Sequence, residues 1–304
     1  MEHVLYWIGI NSNQVKEPTK LMMLTPEEII TGNTELASPP DIYQKITSTL
    51  DDPTKGALDL AKIIDLDAGL ATRILRLVNS AFYSFSANIT SISHAVSIIG
   101  ATELRNLVLT TVVIERFSNL PNGLVSMDEF WSISVKCALY SRSLGQHHKN
   151  CAKMDSLFIC GLLHRIGLII IYSKLPELAR SAILLSDEQA ISEAEAQEEL
   201  LGFNYADVGG ALARQWQLPD VIQATLKNHL NPKTDQPHAI ESGIISLSLS
   251  LSEFDTSDQE ALSRFSEPDN LLWQLTGLKS EVLDVVLPEV DELFSETYRM
   301  IYQA

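Results

Sequence analysis

Disulfide chemistry is the first thing this sequence lacks. It has three cysteines, Cys137, Cys151 and Cys160. An odd number with no C-x-x-C spacing supports neither a disulfide framework nor a zinc site. They lie in or beside apolar helical stretches and read as reduced core residues of a cytoplasmic protein. Glycine and proline are sparse, at 14 and 12 of 304 residues, which excludes collagen-like and linker-rich chains. Positive charge is short: 22 Lys and Arg face 39 Asp and Glu, for a net charge of −17. Such a surface repels phosphate backbones and anionic headgroups, so neither nucleic acid nor membrane is expected as the main partner. Long apolar runs are also missing. Leu157–Ile171 carries His164 and Arg165 and reads as a core helix too short and too polar to cross a bilayer. The run Val4–Ile10, preceded by Glu2, does not read as a signal peptide. No phosphate-binding glycine loop, nucleophile elbow or supported Cys–His pair occurs.

What is present is helical periodicity with start signals. Thr25-Pro26-Glu27-Glu28, Ser126-x-x-Glu129 and Ser192-x-x-Glu195 each have the spacing of a capping box, and the first helix is expected to stop near Gly32. Apolar stripes such as Leu70, Ile74, Leu77 and Val78 follow at 3–4 spacing. Helical runs are expected at about 205–216, 219–229 and 237–254, then short helices over 258–303 with Pro288 starting or kinking one. Only Val4–Ile10 is a strand candidate. The fold class is all-α, in two tightly packed helical lobes with a break near 118–125, where Ser118-Asn119-Leu120-Pro121-Asn122-Gly123 has turn chemistry. Residues 1–24 stay unassigned, 25–255 form the main domain, and 256–304 form an acidic helical extension packed on it. From Glu253 onward twelve acidic residues face three basic ones, a local balance of −9. This charge run reads as a solvated face, or more sharply as a surface for a basic partner. Lys62, Arg73 and Arg76 make a small basic spot, read as surface solubility.

Several segments then carry a resemblance. Leu36-Ala37-Ser38-Pro39-Pro40, the helix-turn-helix Leu60–Leu70, and Ile74-Leu75-Arg76-Leu77-Val78-Asn79-Ser80-Ala81-Phe82-Tyr83 come first. Ile89–Gly100, Phe130-Trp131, Gly161-Leu162-Leu163-His164, Leu201-Gly202-Phe203 and Gln215-Trp216-Gln217-Leu218-Pro219 follow in order. Together they resemble the HDOD family, non-catalytic relatives of the HD metal-dependent phosphohydrolases, over roughly residues 27–250. Asn79, Ser80, Ala81, Tyr83, Gly100, Trp131 and Trp216 carry the family motif. The resemblance implies an HD-like helical bundle acting in bacterial signal transduction as a regulatory pseudo-enzyme that binds protein partners.

An active HD centre needs His and Asp ligands that fix a divalent ion and acidify its bound water. Carried over one by one, the first histidine position is Ile133, which has no lone pair. The His-Asp pair is His164-Arg165, a guanidinium in place of the carboxylate. The next histidine position is Tyr205, and the His-His pair is His229-Leu230, half retained. The distal Asp should fall in Ile244–Leu251, which holds only Ser, Leu and Ile. No cofactor or metal is expected, and no enzyme activity. His164 reads as a hydrogen-bonded core histidine, and Arg165 as the partner of a buried carboxylate. His229 reads as an imidazolium at a helix C-terminus, His147-His148 as an exposed helix end, and Asn79-Ser80 as a helix stop in left-handed geometry. Two alternatives remain: a divergent metal-dependent phosphohydrolase, and a sensor that grips a small anion with His164, Arg165 and His229. Oligomerisation is left open.

Overall fold

The computed structural model describes residues 24–302, except 33–37, 81–82, 84, 86–87, 119–122, 151–155, 254–257 and 268–269. The candidate strand Val4–Ile10, Cys151, the motif residue Ala81 and the centre of the lobe break therefore lie outside the described residues. The described residues contain helices and no strand.

Five helices form the N-terminal group: α2 Asp41–Leu50, α3 Ala57–Asp65, α4 Ala68–Val78, α5 Ile92–Ile99 and α6 Ala101–Ser118. They are preceded by α1, Pro26–Thr31. The second group is α7 Met127–Gln146, α8 Leu157–Leu163, α9 Ile166–Lys174, α10 Pro176–Gln189, α11 Glu193–Leu201, α12 Tyr205–Gln215, α13 Asp220–Asn228 and α14 Ala239–Glu253. Then come α15 Gln259–Phe265, α16 Leu271–Thr276 and α17 Leu283–Tyr302. The central helix α7 packs against α8, α14 and α17. Its face Ser134, Cys137, Ala138 and Ser141 is buried, as the i, i+3, i+4, i+7 spacing requires.

The capping boxes at Thr25–Glu28 and Ser192–Glu195 form in full. At Ser126 the helix starts without one: the Ser126 side chain makes no cap bond, and only its carbonyl accepts from Phe130 N, 2.9 Å. Helix α1 stands on α12 rather than on the N-terminal group, with Glu27 paired to Arg214 at 2.6 Å. The C-terminal stretch opens with two short helices, α15 and α16, as expected, but ends in a long one. α17 runs for 20 residues with Pro288 inside it, and its apolar stripe Leu283, Val286, Val290 and Ile301 is buried against both groups. That burial offsets the hydrogen bond lost at the proline. The Tyr298 hydroxyl donates to Asp128 Oδ1 at 2.7 Å, and Ser143 Oγ donates to Glu289 Oε2 at 2.5 Å, tying α17 to α7.

Leu157–Lys174 has the length and apolarity of a membrane span, but 83% of it is buried inside the protein, and the helix breaks at His164-Arg165. The small basic spot is largely neutralised, since Lys62 pairs with Asp59 (3.2 Å) and Arg73 with Glu115 (2.8 Å). His148 departs from the exposed end expected of it: it is buried, and its Nδ1 accepts from Asn150 N at 3.1 Å.

Candidate functional site

Two close backbone approaches build the centre. At Gly161 an added Cβ would lie 2.7 Å from Ala138 Cα, so α8 presses directly on α7. At Gly167 it would lie 2.0 Å from the Tyr205 carbonyl oxygen, so α9 and the start of α12 touch through their backbones. This packing brings His164, Tyr205 and His229 together from three separate segments. The His164 and His229 rings meet edge to face with centroids 5.6 Å apart, and the Tyr205 ring lies 5.8 Å from His229.

Both imidazoles are fully buried. His164 Nδ1 donates to the Gly161 carbonyl at 2.6 Å, and His229 Nδ1 donates to the Leu226 carbonyl at 2.9 Å. A carbonyl only accepts, so each Nδ1 carries the proton and each Nε2 presents a lone pair. Neither Nε2 has a hydrogen-bond partner. Burial pushes the His164 pKa well below its ordinary value, helped by the nearby His229 and the Arg165 charge. Burial takes His229 down to about 4, against the opposing pull of the Leu226 and Thr225 carbonyls. The imidazolium expected at this helix end is therefore absent at neutral pH: desolvation outweighs the helix dipole.

Arg165 reaches α14. Its Nη1 lies 3.6 Å from Glu253 Oε1, with the guanidinium side chain mostly buried and the carboxylate half exposed. The carboxylate sought inside Ile244–Leu251 is not there. Ser248 and Ser250 bond back to their own helix, at the Ile244 and Ser246 carbonyls. Glu253, two residues beyond, had been read only as one acid of a charge run. The signal for it was Arg165 itself, since a buried guanidinium needs an anion. A second carboxylate, Glu193, accepts from the Tyr172 hydroxyl (2.9 and 2.8 Å) and from Gln197 Nε2 (2.9 Å). Gln197 Oε1 in turn accepts from Tyr205 N at 2.9 Å, which fixes the start of α12. Burial raises the Glu193 pKa, while the Tyr172 and Gln197 bonds and the Arg165 charge oppose that rise.

These residues do not suit the metal that an HD fold implies. A divalent ion needs at least three protein donors with free lone pairs and no cation beside them. Here two imidazoles stand beside a guanidinium, Ile133 is a half-buried hydrocarbon, and the Tyr205 hydroxyl is held protonated by burial. Among the described residues no three His, Cys, Asp or Glu side chains gather around a point. The anion-sensor reading loses its grip too, because neither imidazole exposes any surface. Cys137 and Cys160 are buried, and burial raises both thiols, Cys160 to about 12, so neither is a nucleophile.

The motif residues cluster elsewhere. Asn79 ends its helix as expected, but in right-handed (φ −88°) rather than left-handed geometry. Its Nδ2 donates to the Leu75 carbonyl of its own helix at 2.8 Å and to the Ile89 carbonyl at 2.7 Å, and its Oδ1 accepts from Ile89 N at 2.7 Å. Ser80 Oγ donates to the Leu77 carbonyl at 2.6 Å, and Tyr83 OH donates to Glu103 at 2.5 Å. Gly100 takes φ +83°, a conformation that favours glycine, where α5 turns into α6. Trp131 packs edge-on against Phe130, and Trp216 lies under the Arg116 guanidinium at 5.6 Å.

The sequence profile of the HDOD domain matches residues 36–232. The chain belongs to the HDOD domain family. An HDOD domain protein from Geobacter sulfurreducens superposes with a TM-score of 0.71 at 23% identity, over 93% of this chain and 97% of that one. A protein from Shewanella amazonensis, named as a candidate phosphohydrolase, superposes with a TM-score of 0.70 at 19% identity, over 94% and 98%. At these identities the likeness establishes the HD-like helical fold. An uncharacterized protein of Treponema pallidum is 27% identical over 202 residues, and this HDOD chain spans only 38% of that relative's length.

Proposed function

We propose that this HDOD domain is a non-catalytic regulatory module of bacterial signal transduction, cytoplasmic, which acts by binding a protein partner. The observation that carries the reading is Arg165. A guanidinium paired with Glu253 stands where the HD resemblance puts a metal-binding carboxylate, and it cannot deprotonate to make room for a cation. Ile133 and Tyr205 at two further ligand positions support the same reading. So does a candidate signal transduction protein from Marinobacter aquaeolei, which superposes with a TM-score of 0.60 at 19% identity over 86% of this chain and 59% of that one.

One observation favours a second reading, a divergent metal-dependent phosphohydrolase. The unpartnered Nε2 atoms of His164 and His229 are the tautomers a metal takes. The two readings separate in a hydrolysis assay. The purified chain, supplied with manganese, iron or nickel, is expected to leave phosphomono- and phosphodiester substrates intact. Turnover that disappears in His164→Ala would overturn the regulatory reading.

A further inference from the structure

A cavity of about 480 Å³ opens where the two helix groups meet, between the start of α6 and the facing parts of α7 and α8. Its size lies within the roughly 300–1,000 Å³ of ligand clefts. Part of its lining is aromatic. Phe85, between α4 and α5, is 40% exposed, and it alone among the described aromatic side chains stands open to solvent. Its ring is held there on the ring of Tyr83, with centroids 5.8 Å apart and planes 11° apart. Phe158, near the start of α8, adds a buried ring to the lining. The rest is polar. The Arg142 guanidinium, on α7, lies over the same Tyr83 ring, 5.2 Å from its centroid. Burial lowers the Arg142 pKa against the pull of Tyr83, Glu103 and Glu289. Glu103, in the first turn of α6, accepts from the Tyr83 hydroxyl at 2.5 Å. Tyr83 thus organises three neighbours at once: a stacking face, a cation and a carboxylate.

That lining selects by class. An exposed ring held in place offers a π face on which a planar ring can stack. One guanidinium and one carboxylate leave the lining without net charge. A free phosphate or carboxylate therefore gains from Arg142 and loses to Glu103, and the chain's −17 opposes it from a distance. A neutral ring with donors and acceptors along its edge gains from both. We propose that this cavity binds an uncharged planar heterocycle of the nucleobase type, stacked on Phe85 with its edge read by Arg142 and Glu103. Such an occupant touches both helix groups and gives the regulatory module a small-molecule input. The inference goes beyond the partner-binding reading and stands without it.

The test is isothermal titration of the full chain with adenosine, guanosine, cytidine and uridine in turn. At least one of the four is expected to bind, with a single site per chain. Phe85→Ala is expected to weaken that binding about tenfold, the scale of one base stacked on one aromatic ring. Arg142→Met is expected to cost about tenfold as well, because the edge loses its charged donors. Leu271→Ala removes another exposed apolar side chain, on α16, and is expected to cost less than about twofold. Should Arg142→Met not fold by circular dichroism, Thr102→Trp at the exposed rim fills the cavity instead and is expected to give about the same tenfold loss. Absence of binding by all four nucleosides, or unchanged affinity in Phe85→Ala, would overturn the assignment. A nucleoside 5′-monophosphate that binds about tenfold tighter than its nucleoside would overturn it in favour of an anion site. Indole binding as tightly as the nucleosides would overturn the reading of the edge and leave an apolar crevice.

Discussion

Two polar clusters in this domain have opposite fates. In the turn after α4, the Asn79 side chain engages both backbone groups of Ile89, and Ser80 engages Leu77. In the centre between α8 and α13, His164 and His229 each satisfy Nδ1 and leave Nε2 unpartnered. The first cluster pairs its groups and so specifies a chain path. The second carries the cost of desolvated lone pairs, which folded proteins avoid unless a function or an ancestry explains it. The Asn79 turn is architecture; on the proposed regulatory reading, the histidine pair is what remains of a metal layout whose other ligands have been replaced.

That contrast can be broken, beginning where the effect is largest. Gly167→Ala drives a methyl against the Tyr205 carbonyl, at 2.0 Å before relaxation. It should destabilise by about 4 kcal/mol or prevent folding, read from soluble yield and the urea midpoint. Acid comes next. His229 has a folded pKa of about 4, below the unfolded 6.5, so the unfolded state binds the proton more readily. This histidine's contribution is complete above pH 6.5 and is lost as pH falls toward 4, by about 3 kcal/mol. His164 is shifted in the same direction. Urea midpoints measured between those limits should fall, and His164→Leu with His229→Leu should flatten the slope; an unchanged slope would argue against buried neutral histidines. Asn79→Ala should then cost about 2 kcal/mol, because it strands both Ile89 backbone groups, as thermal denaturation would show. Arg165→Met should have the smallest effect, under about 1 kcal/mol at neutral pH. Its partner Glu253 is half exposed, and water screens the pair.

Much of this was legible in the sequence. The boxes at Thr25 and Ser192 work because capping is local, decided within four residues. The positions His164, Tyr205 and His229 could be listed from the family resemblance, and the fold brings them together. What stayed hidden depends on distance along the chain. Glu253 lies 88 positions from Arg165, and no periodicity connects them. Helix α17 continues through Pro288 because a stripe buried on α7 and both helix groups outweighs a local breaker. His148 looked exposed beside Lys149, yet tertiary packing buries it. Asn79 ends its helix as expected, though in right-handed geometry, and its second partner, Ile89, sits ten residues ahead where no local pattern announces it.

The central claim is that Arg165 and its neighbours leave no metal centre in this HDOD domain. The most direct test is elemental mass spectrometry of the full chain after incubation with manganese, iron and nickel and exhaustive dialysis. The account predicts a stoichiometry near zero for every metal. One or two ions per chain, lost in His164→Ala, would contradict it.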